Sequence, residues 1–323
     1  MRPRYIWHVA PPPVVCGPSQ DQLGTEPAVH TIKSTIDWVA KRFGGADLAF
    51  GHGTDNPSDE AVFLVLEALD LPFDELDKST DLELTASQHA SIAELVESRI
   101  AGRTPTAYLI GRAYIKGWGF RADRRALIPR SFIGELLADA IGDNSPPPFD
   151  REPQTILELG TGSASLAILS ALAFPEARID AVDISADALG LAAENVADYG
   201  LSARIRLLQG NLYGPVAGER YDLVISNPPY VDAVAMEALP REYRHEPTLA
   251  LAGGPDGLDL VRDIIAGAAE HLTGNGGLVC EIGTGQRRLA ECFPDLDLMW
   301  LATETSEGEV FWLDAASAPV QKP

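Results

Sequence analysis

Cysteine is scarce in this 323-residue chain: Cys16, Cys280 and Cys292 form an odd, scattered set. They show no metal-ligand spacing, and a reducing cytoplasm is the expected setting. Positive charge is scarce too. The 25 Lys and Arg stand against 47 Asp and Glu, for a formal net charge of −22. That balance opposes nonspecific binding to phosphate backbones and favours a basic partner, although acidity also serves solubility alone. No run approaches the roughly 18 consecutive apolar residues of a membrane-spanning helix, so no membrane association is expected. Arg2 and Arg4 precede Pro11-Pro12-Pro13, which breaks the apolar stretch that a secretory signal needs. A disordered or extended tail over residues 1–30 is expected instead.

What the chain does contain divides by periodicity. Its length exceeds one compact domain, so two are expected. Ile32, Ile36 and Val39 recur at helical spacing and predict a helix over 31–43. Asn56-Pro57 followed by Asp59 and Glu60 announces a second: the asparagine caps, the proline suits the first turn, and the acids favour its positive end. Thr85 and Gln88 form a capping box before a third helix carrying Ile92, Leu95, Val96 and Ile100. A small helical domain over 31–103 follows. Gly111, Gly117 and Gly119, interleaved with Tyr114, Trp118 and Phe120, predict a β-hairpin connector. That connector, a helix over 133–141 and a linker at 144–148 fill residues 104–150.

From residue 151 to 323 short apolar runs alternate with amphipathic segments. Strands are predicted at 155–159, 178–183, 204–209, 221–226 and 278–282, and 309–314 belongs to an antiparallel edge hairpin. This is the pattern of an α/β, Rossmann-like doubly wound sheet.

The first strand closes on Glu158-Leu159-Gly160-Thr161-Gly162-Ser163-Ala164. Glycines here let a backbone approach a ligand and expose amide groups at a helix start. A Gly-x-Gly turn also serves as a plain tight turn or a dinucleotide phosphate loop. Ser165, however, stands where the dinucleotide fingerprint has its third glycine. Asp183 ends the second strand, where a carboxylate accepts both hydroxyls of a ribose. A nucleoside-bearing cofactor is expected.

Asn227-Pro228-Pro229-Tyr230 follows the strand 221–226, at the carboxyl edge where ligands bind in such sheets. An amide nitrogen is a poor nucleophile because its lone pair is delocalised into the carbonyl. Accepting both of its hydrogens favours a pyramidal nitrogen with a localised pair. The Asn227 side-chain oxygen and the Pro228 carbonyl suit that task. The prolines fix the backbone, and Tyr230 offers a flat face to a planar group. Methylation of a planar, amide-type nitrogen is the chemistry expected, with no metal and no covalent nucleophile.

These two motifs join Gly51-His52-Gly53-Thr54-Asp55-Asn56-Pro57, Leu127-Ile128-Pro129-Arg130-Ser131 and Glu242-Tyr243-Arg244-His245-Glu246-Pro247. With them the chain resembles the HemK-like protein glutamine N5-methyltransferases over roughly residues 31–315. Within that family it most resembles the branch that methylates large-subunit ribosomal protein three (uL3). The release-factor branch continues its Pro-Arg with Pro-Asp-Thr-Glu, where this chain has Ser131-Phe132-Ile133-Gly134-Glu135.

The resemblance implies a class I methyltransferase domain over 151–323. It implies S-adenosyl-L-methionine as cofactor, S-adenosyl-L-homocysteine as product, and transfer to a glutamine in a basic protein partner. Glu158, Gly160, Thr161, Gly162, Asp183 and Ile184 would hold the cofactor, with Asn211 and Leu212 near its adenine and Asn227 beside it. Asn227, Pro228, Pro229 and Tyr230, with Arg130, would hold the glutamine. Glu158 replaces the usual aspartate, Ala164 a common glycine, and Asn211 a usual aspartate. Arg130 either orients the substrate or anchors the connector through an ion pair. His52 and His245 read as structural hydrogen bonders, and Glu281 as a helix-facing acid. The alternatives are a release-factor methyltransferase, an adenine N6 methyltransferase, a silent ribosome-assembly factor and a nicotinamide-dependent oxidoreductase. The adenine reading requires a basic groove that this charge does not provide.

Overall fold

The computed structural model describes residues 30–142, 152–303 and 306–319. The expected tail up to residue 29, with Cys16, and the linker at 144–148 lie outside them. The chain forms two compact units. One ends at Gly119 and includes Pro240–His245; the other comprises Phe120–Leu239 and the chain from Glu246 onward.

The first unit is helical. α1 (Ile32–Gly44) starts where the Thr31 side chain accepts from Ser34 N. α2 (Pro57–Ala68) starts where Asn56 Oδ1 accepts from Ser58 N and Asp59 N, both at 3.0 Å. After the short α3 (Leu76–Ser79), α4 (Ala86–Gly102) opens on the reciprocal Thr85–Gln88 box. Trp38, Val39, Phe43, Leu64, Val65, Ile92 and Val96 form one buried core. Each such side chain contributes about 1.5–3 kcal/mol. α5 (Thr106–Ile110), which the glycine-rich spacing did not predict, leads to β1 (Arg112–Ile115) and β2 (Trp118–Arg121). Lys116 and Gly117 both take positive φ between them, the geometry of a tight hairpin turn.

Residues 240–245 were expected with the sheet domain, and the structure places them with the helices instead. The cause is a buried ion network. Arg99, 1% exposed, donates to Glu60 Oε1 at 2.6 Å, to Glu242 Oε1 at 3.4 Å and to Ala49 O at 2.8 Å. His52 stacks obliquely on Tyr243, with ring centroids 4.3 Å apart, and His245 Nε2 meets Gly102 O at 2.9 Å. Both histidines therefore have structural settings.

The second unit holds α6 (Phe132–Ala140), β3 (Thr155–Leu159), α7 (Ser165–Ala173), β4 (Arg178–Asp183), α8 (Ala186–Asp198) and β5 (Ile205–Gln209). β6 (Tyr221–Ser226), α9 (Ala233–Ala238), α10 (Asp259–His271), β7 (Leu272–Glu281), α11 (Gln286–Cys292), β8 (Met299–Ala302) and β9 (Glu307–Asp314) follow. The sheet order is β5-β4-β3-β6-β7-β9-β8. β3 to β7 pair in parallel, and β9 runs antiparallel to both β7 and β8. This is the expected doubly wound sheet, with β8 as the outer strand of the edge hairpin. The order reverses beside β3, where β4 leaves on one side and β6 on the other. A ligand crevice belongs at that point, outside the carboxyl ends of the strands. Val261, Ile264, Ile265 and Ala268 of α10 bury one face against Leu157, Val224, Leu278 and Phe311. No described helix is long and apolar enough to cross a membrane.

Candidate active site

The turn after β3 is built by β4. Gly160 N and Thr161 N both donate to Val182 O, at 2.9 and 3.0 Å. Gly162 N donates to Asp183 Oδ2 and Ser185 N to Oδ1, each at 2.8 Å. Gly160 and Gly162 have φ of 73° and 56°, values that favour glycine.

Ala164 also lies in the left-handed region, at φ 64°, with no exposed surface. A non-glycine residue there costs about 1–2 kcal/mol. Burying its methyl offsets about 0.8 kcal/mol of that. The strain that remains is small enough for alanine to stand at this position.

Beneath the turn, Glu158 Oε2 accepts from Thr161 Oγ1 at 2.5 Å and from Ala167 N at 2.9 Å. Burial pushes its carboxyl up to about 8, against the lowering effect of those two donors. Glu158 therefore braces the loop, tying its second residue to the first turn of α7.

Gly160, Thr161, Gly162, Asp183, Ile184, Asn211 and Leu212 line one cavity, and Glu158 reaches its edge. Ile184 is 53% exposed, and Leu212 holds a positive φ of 43°. Strain of that kind concentrates at functional sites. Asn227 and Pro229, from the end of β6, line the same cavity. The sheet thus brings the glycine loop, the acid that ends β4 and the tetrapeptide asparagine together.

The other two tetrapeptide residues are placed differently. Pro228 is buried. Tyr230, expected to face a substrate, turns its hydroxyl to Glu281 Oε1 at 3.2 Å and its ring towards Gly283. Arg130 lines the cavity, but its guanidinium is held by Glu246 at 2.7 and 2.8 Å. The anchoring alternative therefore describes its charge.

Glu281, the last residue of β7, also accepts from Ser131 Oγ at 2.7 Å and from Phe132 N at 3.0 Å. Burial pushes it up to about 7. Burial likewise pushes the Tyr230 phenol up, and the neighbouring Glu281 adds to the shift.

Sequence reading assigned no role to the clamp around Pro229 and Tyr230. Val231 N donates to Leu251 O at 2.9 Å, and Gly253 N to Val231 O at 2.8 Å. A Cβ on Gly253 would fall 2.7 Å from Tyr230 Cα, and one on Gly257 2.4 Å from Tyr230 O. The run Gly253-Gly254-Pro255-Asp256-Gly257 carried the signal, as turn residues placed where backbones meet.

The family model of the methyltransferase small domain matches residues 135–241. The chain is 48% identical over 290 residues to the ribosomal protein uL3 glutamine methyltransferase of Bradyrhizobium diazoefficiens, covering 88% of this chain and 91% of that protein. It is 46% identical over 288 residues to the protein of the same name from Bordetella pertussis, covering 88% and 95%. Among solved structures, a methyltransferase from Pyrococcus furiosus matches 71% of this chain and 98% of its own at 14% identity, with a TM-score of 0.44.

Proposed function

This chain belongs to the ribosomal protein uL3 glutamine methyltransferases, and on that premise we propose that it methylates the side-chain amide nitrogen of a glutamine in uL3, using S-adenosyl-L-methionine. One juxtaposition carries the reading: Asn227, at the carboxyl end of a central strand, lines the same cavity as Gly160, Gly162 and Asp183.

The residues present fit the cofactor. A Cβ built on Gly160 meets no atom within 4 Å, and one on Gly162 meets only Ala126, at 4.0 Å. The open side of the loop is thus not filled by the protein's own packing. Each Asp183 oxygen accepts one backbone N–H, which leaves a lone pair on each for two vicinal ribose hydroxyls. Ile184 and Leu212 supply apolar wall for an adenine. Bound there, S-adenosyl-L-methionine supplies an electrophilic methyl on a sulfonium and leaves as S-adenosyl-L-homocysteine.

Asn227 Oδ1 and the Pro228 carbonyl accept the two hydrogens of the target amide, which localises its lone pair as the nitrogen becomes pyramidal. The nitrogen sheds its extra proton after transfer, when it is far more acidic, so no strong base is needed. In-line positioning in a water-poor cleft does the rest. The net charge of −22 suits a basic ribosomal partner and opposes binding to nucleic acid. Such a substrate supports a cytoplasmic setting.

The test offers purified uL3, a release factor and DNA to the enzyme with labelled S-adenosyl-L-methionine, followed by tandem mass spectrometry. Label on a glutamine of uL3 is the expected result. Label mainly on the release factor moves the chain to the sister branch, and label on adenine overturns the substrate class.

A further inference from the structure

The strap from Ile128 to Phe132 meets Asn227 through the Arg130 carbonyl and Tyr230 through the buried Glu281 carboxylate, while the buried Glu246 carboxylate anchors the strap from a third segment. We propose that Glu246 and Glu281 are positioning residues that set the orientation of the Asn227 amide for transfer. This rests on the role given to Asn227 above.

The orientation of Asn227 is set by the strap. Its Nδ2 donates to Arg130 O at 3.4 Å. A flipped amide would set two oxygens face to face, so Oδ1 is the atom left to the cavity that Asn227 lines.

The Arg130 carbonyl is itself held from two sides. On one side the Arg130 guanidinium makes a two-pronged bond to Glu246, at 2.7 Å to Oε1 and 2.8 Å to Oε2. Ile128 N donates to the same Oε1 at 3.1 Å, and the Glu246 side chain has no exposed surface. On the other side Glu281 Oε2 receives Ser131 Oγ and Phe132 N, while its Oε1 receives Tyr230 OH. Ser131 also caps α6 through Gly134 N.

Arg130 O therefore sits between two fixed points, with Pro129 restricting the backbone before it. Buried ion pairs add little net stability once desolvation is counted. Their paired, charge-assisted hydrogen bonds are strongly directional, which fixes geometry. Since the Asn227 contact is already 3.4 Å long, any retreat of the strap releases the amide to rotate.

The experiment uses the full chain with Glu246→Gln and, independently, Glu281→Gln. Each variant keeps the side-chain shape and turns one accepting oxygen into a donating amide. The first readout needs no partner: the side-chain ¹⁵N amide resonances of Asn227, assigned by their loss in Asn227→Ala, should shift in both variants. In turnover on uL3, kcat at saturating partner should fall about 10- to 100-fold, with cofactor affinity kept within about twofold. In the Asn227→Ala background either glutamine substitution should add less than about twofold, the margin within which independent effects combine. Should Glu246→Gln fail to fold, Glu281→Gln carries the same expectations from the other end of the strap. Unshifted Asn227 resonances in a folded variant, or losses that multiply fully in the double variants, overturn the proposal. If the wild-type enzyme leaves uL3 unmethylated, the functional reading fails, and the resonances still decide the positioning role.

Discussion

Asp183 and Gly162 are joined by a 2.8 Å hydrogen bond in which the glycine N–H donates to the carboxylate Oδ2. The acid expected to hold the cofactor ribose thus also shapes the loop expected to hold the rest. Asp183→Ala removes both functions. Hydrogen bonds to charged groups are worth about 1.5–3 kcal/mol, so S-adenosyl-L-methionine should bind roughly ten- to a hundredfold more weakly. Asp183→Asn, which keeps one acceptor, should lose less. Unchanged affinity by calorimetry in a folded Asp183→Ala variant removes this residue from the site.

Glu158 gives the site a pH signature. Its carboxyl is held at about 8, against an ordinary 4.5, mainly by burial. A raised folded-state value means the native state binds this proton more tightly. The resulting stability is fully present below about 4.5 and is lost as pH rises through about 8. Glu158→Gln has no such titration and can still accept from Thr161 and Ala167. In thermal melts at several pH values, the melting temperature of the variant relative to wild type should therefore rise between pH 4.5 and 8. A flat difference across that window contradicts the burial argument.

The clamp around Tyr230 predicts sharp sensitivity at Gly257. This residue has a φ of 82°, and an added Cβ would lie 2.4 Å from the Tyr230 carbonyl oxygen. Backbone must move to admit it, and displacement near reacting groups costs about 10² in rate. Gly257→Ala should lose turnover on that scale. Gly274→Ala, where a Cβ meets nothing within 4 Å, is the control. Equal activity in the two variants would show that the Tyr230 backbone has room to spare.

In the helical unit Arg99 lies between Glu60 and Glu242, all three almost fully buried. Arg99→Ala strands the buried Glu60 carboxylate, while Glu242 keeps Arg103 at 3.3 Å; breaking such a buried pair costs about 3–5 kcal/mol. Urea unfolding should show it as a lower midpoint. A loss under about 1 kcal/mol, the size of an exposed ion pair, would mean that water reaches the network.

Much of this fold was legible because local chemistry and final structure agree. Asn56 and Thr85 cap the helices they announce, and the strands ending at Leu159, Asp183 and Ser226 run as their apolar patterns indicate. The misses have physical causes. β7 begins at Leu272, yet Thr273-Gly274-Asn275-Gly276-Gly277 reads as turn chemistry. Gly277 is needed there because a Cβ would lie 2.0 Å from the Trp312 ring. Long-range packing of that kind leaves no local trace. Nor does sequence reveal that Glu242 and Glu246, four positions apart, serve different units. Residues named from the sequence, Gly160, Asp183 and Asn227 among them, do line the cavity, but much of its wall was not foreseen. The supports beneath them, Glu246, Glu281 and the glycine clamp, emerge only when distant segments meet.

The account depends most on the Asn227 side chain, and turnover of Asn227→Ala at saturating uL3 tests it most directly. Removing one preorganised acceptor should lower kcat about 10²- to 10³-fold, with cofactor affinity, read separately by calorimetry, little changed. Near-normal methylation of the uL3 glutamine by this variant would contradict the account, because Asn227 is the side chain assigned to activate the amide.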